Sequence, residues 1–372
     1  MQYIDGTKIE SRANKYTFVW KRATKTNQGK LDKKVKAVLT EAERVLDREM
    51  NEEKEEVMTS EEMAERSADI LREMDERGIS DKKLRKAVAQ AGTEAAVKMK
   101  EYEDKLDILG ERNSYSKTDP DASFMRMKED AMNNGQTKPG YNVQISTENQ
   151  FITHYSMSWM SNDWGTFINH LDTFKRRYGV QSKEVVADSG YGSEENYEYL
   201  DLNFIDGYVK YNMFHTELKR KYIANPFLPE HLFYNAEKDF FVCPMGQHMD
   251  FVGKKKSVSD LGYETTIRVY RAANCSGCPL RGRCFHGKGN REIKVNVRSR
   301  LYRNKAKELL TSERGLYHRS RRPIEPEAVF GQIKYDGGFR RFHYCGNQYA
   351  GAEFAAIAIA HNIRKMAALR AS

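Results

Sequence analysis

Apolar and polar positions alternate in two short runs near the N-terminus, 3–9 and 16–20, which predicts a pair of strands. From about 31 to 109 the period lengthens. Val35, Val38, Leu39, Ala42, Val45, Leu46 and Met50 recur at the 3.6-residue spacing. Met63, Ile70, Leu71 and Met74 repeat it, and so do Leu84, Val88, Ala91, Val97, Tyr102 and Leu106. Three amphipathic helices joined by short polar turns predict an antiparallel hairpin or small bundle. Residues 110–138 are polar, carry no period and read as irregular.

Alternation returns at 140–147 and 151–158, with Glu148-Asn149-Gln150 as the connection of a hairpin. Trp164, Phe167, Ile168, Leu171, Phe174 and Tyr178 then lie on one helical face. A buried strand over Val185-Val186-Ala187, a helix near 194–200 and a strand near 208–211 follow. Strands alternating with helices after an antiparallel start imply an α/β (α+β) fold. Residues 233–298 read as a separate β-rich insertion with short strands at 240–243, 249–252 and 266–271. An Ala-rich helix over 346–371 closes the chain, and Arg364, Lys365 and Arg370 near its end suit a helix C-terminus.

At 372 residues the chain can bury one large core or two smaller ones. Its net charge of +9 and pI near 9.0 suit a polyanionic partner. The charge is segregated. Residues 31–110 hold 16 Lys and Arg against 22 Asp and Glu, a net of −6, which leaves +15 for the rest. An acidic helical segment therefore interrupts a basic body. No run of 18 apolar residues and no secretory leader pattern occurs, so neither a membrane span nor export is expected. Five cysteines, odd in number and clustered, argue for a reducing cytoplasm rather than a disulfide scaffold.

Three acids carry the candidate chemistry. Asp5 interrupts the first β-like run and is followed by Gly6 and Thr7. Asp188 stands at the end of the Val-Val-Ala strand, before Ser189-Gly190-Tyr191-Gly192. Ligand sites of open α/β sheets lie at the carboxyl ends of strands, although a lone Asp-Ser-Gly ordinarily only starts a turn. Glu327 precedes Lys334 by seven residues, about two helical turns, which puts both on one face, with Val329, Phe330 and Ile333 on the buried side. Arg321 and Arg322 flank this stretch on one side and Arg340 and Arg341 on the other. Ordinary salt bridges on a surface helix would give the same pattern. Glu325 rivals Glu327, and Asp119 and Asp121 rival Asp5, although their Pro-interrupted context reads as a turn.

Taken together, these blocks resemble the DDE transposases of bacterial insertion sequences, in the subset with a long helical insertion after the first Asp. The residues concerned are Ile4-Asp5-Gly6-Thr7-Lys8-Ile9-Glu10, Asn14 through Lys21, Thr118-Asp119-Pro120-Asp121-Ala122, Gly140-Tyr141-Asn142-Val143-Gln144, Ala187-Asp188-Ser189-Gly190-Tyr191, and Glu327 through Lys334. The resemblance implies a ribonuclease-H-like mixed sheet with helices on both faces. It divides the chain into first core strands (1–30), the acidic helical insertion (31–110), the core (111–232), a cysteine-containing insertion (233–298), and the catalytic Glu helix with the last core helix (299–372).

The resemblance also implies metal-dependent cleavage and strand transfer of double-stranded DNA at transposon ends. Asp5, Asp188 and Glu327 would bind Mg²⁺ or Mn²⁺, and Lys334, Arg322, Arg340 and Arg341 would contact phosphates. A homodimer assembled on DNA in the bacterial nucleoid is expected. Relatives carry a helical region before the Asp-Gly-Thr block, so the chain reads as N-terminally truncated. The alternative is therefore an inactive remnant that binds DNA or other transposase chains; an unrelated ribonuclease-H-like nuclease is a third reading. One departure stands out. Relatives place a Tyr and an Arg before the Glu, the Arg at four residues. Here Arg322 lies five before Glu327, Pro323 takes the fourth position, and Tyr317 is the only nearby Tyr.

Cys243-Pro-Met-Gly precedes Cys275-Ser-Gly-Cys278 and Cys284. Cys275 and Cys278 match a zinc-knuckle half-site, which Cys243 and Cys284 would complete. A structural zinc, free thiols and another metal all remain open, with His248 and His286 as alternative ligands. Cys345 reads as a plain thiol.

Overall fold

The computed structural model describes residues 1–47, 56–127 and 135–371, so Met50 of the first predicted helix lies outside the described residues. Backbone proximity divides the chain into two units. One comprises Met1–Thr7, Asn142–Phe339 and Phe354–Ser372, and the other Lys8–Tyr141 and Arg340–Glu353.

The first unit is built on a mixed sheet. Its strands in chain order are Gln2–Glu10, Thr137–Glu148, Phe151–Ser158, Glu184–Ala187 and Asp206–Val209, the first two running on into the other unit. In space the order is third, second, first, fourth, fifth. The hairpin turns at Asn149 and Gln150, both at positive φ, and pairs antiparallel from Asn142↔Ser158 to Glu148↔Phe151. On the other side the first strand pairs parallel with Glu184–Ala187, with Gln2 opposite Val185 and Tyr3 opposite Val186. Glu184–Ala187 pairs parallel with Asp206–Val209.

Successive strand residues point to opposite faces, yet Gln2, Tyr3 and Ile4 are all buried. Both faces of the central strand are therefore covered. The cover comes from Phe167–Tyr178, Glu194–Leu202 and Val297–Thr311, whose Phe167, Leu171, Leu200, Ala306 and Leu310 join Tyr3, Ile4, Val185 and Val209 in one core.

An antiparallel meander of five strands lies within the same unit: Phe233–Asn235, Phe240–Val242, His248–Val258, Glu264–Ala272 and Glu292–Val295. Phe241, Met249, Tyr270, Ile293 and Val295 form its own small core, against which Cys243 and Cys275 pack.

The second unit holds the helices Lys21–Val45, Ser60–Glu76 and Lys82–Leu109, the last carrying a π turn at Ala91–Ala95. Val35, Leu39, Met63, Ile70, Val88 and Met99 form their common core. Thr59 and Glu62 make a capping box at the second helix, and Asp81 caps the third. The first helix begins at Lys21, ahead of the periodic stretch; its first turns are polar and carry no apolar stripe, so the period does not announce them.

Residues 110–138 are not irregular throughout. Ser114–Ser116 pairs with Phe18–Trp20, and Ser123–Arg126 pairs with Thr137 to Gly140. The first of these partners is nearly a hundred residues away in sequence, so no local period announces it. Among the described residues no helix is long and apolar enough to cross a membrane.

Candidate active site

The parallel register explains how the first two acids meet. Tyr3 lies opposite Val186, and two residues further along both strands bring Asp5 level with Asp188. Asp5 lies within its strand and not at its end. The neighbouring strand stops at Ala187, so the sheet opens at that level and leaves room for the carboxylate. The Ser189–Tyr191 turn follows Asp188, and Ser193 caps the next helix through the Asn196 N–H.

The third acid comes from the far end of the chain. Helix Glu313–Arg321 runs into a π-helical turn, Pro323–Glu327, followed by Ala328–Gly331 and a second π turn, Gln332–Asp336. The extra residue between Arg322 and Glu327 is absorbed here, because a π turn stacks residue i over i+5. Arg322 Nη1 lies 2.9 Å from Glu327 Oε1 and 3.6 Å from Asp188 Oδ2, while Nη2 lies 3.2 Å from Asp5 Oδ1. One buried guanidinium thus touches all three acids. Glu327 and Asp188 remain half-exposed, whereas Asp5 is largely covered.

Lys210 joins from just past the end of the adjacent parallel strand, its Nζ 3.7 Å from Asp188 Oδ1. Burial opposes ionisation of Asp188, but Arg322, the Ser189 N–H and Lys210 outweigh it and hold the carboxyl below its usual range.

The rival acids serve the framework. Glu325 is buried, accepts from the Gln150 N–H at 2.8 Å and pairs with Arg321 at 3.1 Å. Asp119, in the second unit, is buried and accepts from Tyr141 Oη at 2.9 Å and the Gly346 N–H at 3.0 Å. Asp121 accepts from the Asn347 N–H.

The four basic residues named for phosphate contact differ in their surroundings. Arg322 is spent on the acids. Lys334 is buried while Glu327 is exposed, so the two do not share a solvent-facing side; the second π turn alters the angular spacing on which that expectation rested. Arg341, in the second unit, donates to the carbonyls of Ser11, Arg12 and Ala13. Arg340 is exposed in that unit.

Sequence reasoning missed Asp163. Asn142 Nδ2 donates to its Oδ1 at 2.9 Å and Gln144 Nε2 at 3.3 Å, and Tyr191 Oη donates to Gln144 Oε1. Burial, then Asp163 and Asp5, push the Tyr191 phenol far up, so it stays a donor. Gly6 lets this network approach the strand, since a Cβ there would meet Gln144 at 2.3 Å and Asp163 at 2.8 Å. The available signal was Asn142-Val143-Gln144, two polar residues on one face of a strand whose middle is buried.

Among the described residues no three His, Cys, Asp or Glu side chains are placed to hold a metal ion. At the acid centre the reason is visible: the guanidinium stands between the carboxylates. The cysteines are separate. Cys243, Cys275, Cys278 and Cys284 line one small cavity, which neither His248 nor His286 lines. His248 instead stacks on Phe240 at 3.8 Å.

The fold and site define an α/β protein that gathers carboxylates and cations where two parallel strands end. Residues 242–367 match the family model described as Transposase DDE domain, and across that stretch the chain is similar to the DDE transposases. The match includes Arg322, Glu327, Lys334 and the four clustered cysteines; Asp5 and Asp188 precede it and are linked to Glu327 through Arg322. No curated protein and no solved structure matches the chain.

Proposed function

We propose that the chain is the catalytic part of a DNA transposase that cleaves and joins phosphodiesters at transposon ends, with Asp5, Asp188 and Glu327 as its carboxylate set. One observation carries this reading: a single guanidinium contacts all three acids, which come from two adjacent strands and a helix more than a hundred residues later. The ribonuclease-H-like reading of the core rests on the mixed sheet, its central first strand and the two strands that follow that one in parallel.

The donors are hard carboxylate oxygens, which fits Mg²⁺ or Mn²⁺. When bound, such ions activate an attacking oxygen and stabilise the leaving one. Asp188, held ionised, is ready as a ligand at neutral pH. Lys210 and Arg322 lie beside Asp188, and there their fixed positive charge would stabilise a scissile phosphate held by the acids. Double-stranded DNA as the partner follows from the basic body outside residues 31–110. Lys334, Arg340 and Arg341 are candidates for phosphate contact, Lys334 only where DNA enters far enough to reach a buried ammonium. A homodimer on DNA belongs to the same proposal.

The test compares the full chain with Asp188→Ala on a labelled terminal-repeat duplex with Mg²⁺. Cleavage should fall by about a thousandfold or more, as expected when a ligand of the reacting centre is lost. Duplex binding should stay within about twofold, because phosphate contacts are untouched. Equal cleavage by parent and variant would remove Asp188 from the mechanism.

A second reading, a DNA-binding protein that does not cut, is favoured by the same guanidinium, which pairs with all three acids. Binding by the parent with no cleavage under Mg²⁺ or Mn²⁺ would establish it.

A further inference from the structure

Two turns in the meander carry three of the cysteines. In Cys243-Pro-Met-Gly246 the Gly246 N–H donates back to the Cys243 carbonyl at 2.8 Å, and Gly246 has φ +78°. In Cys275-Ser-Gly-Cys278 the left-handed residue is Gly277, at φ +66°, and Asn290 Oδ1 holds the Cys275 N–H at 2.9 Å. The short helix Arg281–Cys284 brings the fourth thiol. All four thiols line one small cavity, and none is in a disulfide.

Arg291 closes that cavity. It is 6% exposed, and among the described residues no carboxylate pairs with it. Its Nη1 donates to Cys284 Sγ at 3.0 Å, its backbone N–H to Cys275 Sγ at 3.4 Å, and its Nη2 to the Phe227 carbonyl. A buried cation without an anion is costly, and four neutral thiols supply none. Four thiolates around a divalent ion do, because their charge exceeds the ion's. N–H donors to the sulfurs are also what a thiolate-bound metal takes from its surroundings.

We propose that Cys243, Cys275, Cys278 and Cys284 hold a thiophilic divalent cation, zinc by its preference for four thiolates, with Arg291 as the buried counter-charge of the cluster. The thiols surround the cavity without three of them meeting at one point. They close on the ion by rotation about their Cα–Cβ bonds while the two turns stay in place. Each thiol gives up its proton to solvent as its sulfur binds. The role is structural: the segment's own core is small, and the ion ties strand Phe240–Val242 to the loop that follows Glu264–Ala272.

The experiment uses the full chain, purified from zinc-supplemented cells under reducing conditions, with neither DNA nor Mg²⁺ present, so its outcome is independent of the transposase reading. Elemental analysis should find about one zinc per chain. A thiol reagent should titrate Cys345 first and the four clustered cysteines only as zinc is released to a chromogenic chelator. Arg291→Met should keep the zinc but lose it to a competing chelator with affinity lowered about tenfold or more, the usual effect of removing such an outer partner, and Arg291→Lys should restore part of the difference. Parent protein without zinc and with five equally reactive thiols overturns the site. Zinc held with parental affinity by Arg291→Met overturns the role of Arg291.

Discussion

Arg322 Nη1 and Glu327 Oε1 lie 2.9 Å apart although five residues separate them. On a regular α-helix that spacing leaves two side chains about 140° apart around the axis. The π turn Pro323–Glu327 removes the offset, at the point where the guanidinium also reaches Asp5 and Asp188. Wide turns of this kind recur at functional positions.

Replacing that arginine should uncouple stability from the metal-free state. Arg322→Met leaves three carboxylates facing one another with no cation at their centre. In chelator the variant should lose about 2 kcal/mol, the scale of lost hydrogen bonds to charged groups. Millimolar Mn²⁺ should return more stability to the variant than to the parent. Thermal unfolding of both proteins with and without Mn²⁺ reads this directly; identical metal responses would show that the guanidinium does not occupy the cation position.

Glu325 and Glu327 should separate cleanly. Glu325→Ala removes the acceptor of the Gln150 N–H and the partner of Arg321. It should destabilise the fold by about 2–3 kcal/mol, as for a buried charged acceptor. Glu327→Ala, at a half-exposed side chain, should cost well under that and abolish cleavage. Denaturant titration paired with a cleavage assay gives both numbers, and a stable, inactive Glu325→Ala would exchange the two roles.

Gly6→Ala should disturb the acid centre through packing. The added methyl falls 2.3 Å from the Gln144 side-chain amide and 2.8 Å from Asp163, so the network must move. The expected cost is about 1–3 kcal/mol, as for overpacking a tight core. Combining it with Gln144→Ala should recover part of the loss, which a double-mutant cycle measures.

The buried histidines predict acid lability. Burial, and then the charge of Arg177, depress His154 to about 4; burial and then His154 hold His170 well below its ordinary value. A depressed histidine is neutral in the fold and readily charged in the unfolded chain. Its contribution is therefore complete above the unfolded value near 6.5 and is lost as pH falls from there toward about 4. The melting temperature of the parent should fall through that window more steeply than that of His154→Gln. Parallel pH profiles would exclude the histidine as a cause.

Much of this protein was legible along the chain because the relevant physics is local. The 3.6-residue stripe through Val35, Leu39 and Ala42 is buried as a helix whatever surrounds it. Val185-Val186-Ala187, a short β-branched run bounded by turn residues, is buried as a strand with Asp188 just past its end. The hairpin around Asn149-Gln150 follows from alternation broken by turn residues. Other features depend on partners distant in sequence. Asp163 gains significance only from Asn142 and Gln144 on a neighbouring strand. The strand Ser114–Ser116 exists because Phe18–Trp20 lies beside it. The spacing of Arg322 and Glu327, a departure when counted along the chain, becomes a contact because tertiary packing selects a wider helical turn. Hydrophobic period is written residue by residue, whereas the pairing of buried charges is decided only when the folded core brings them to the same few ångströms and removes the water that would otherwise screen them.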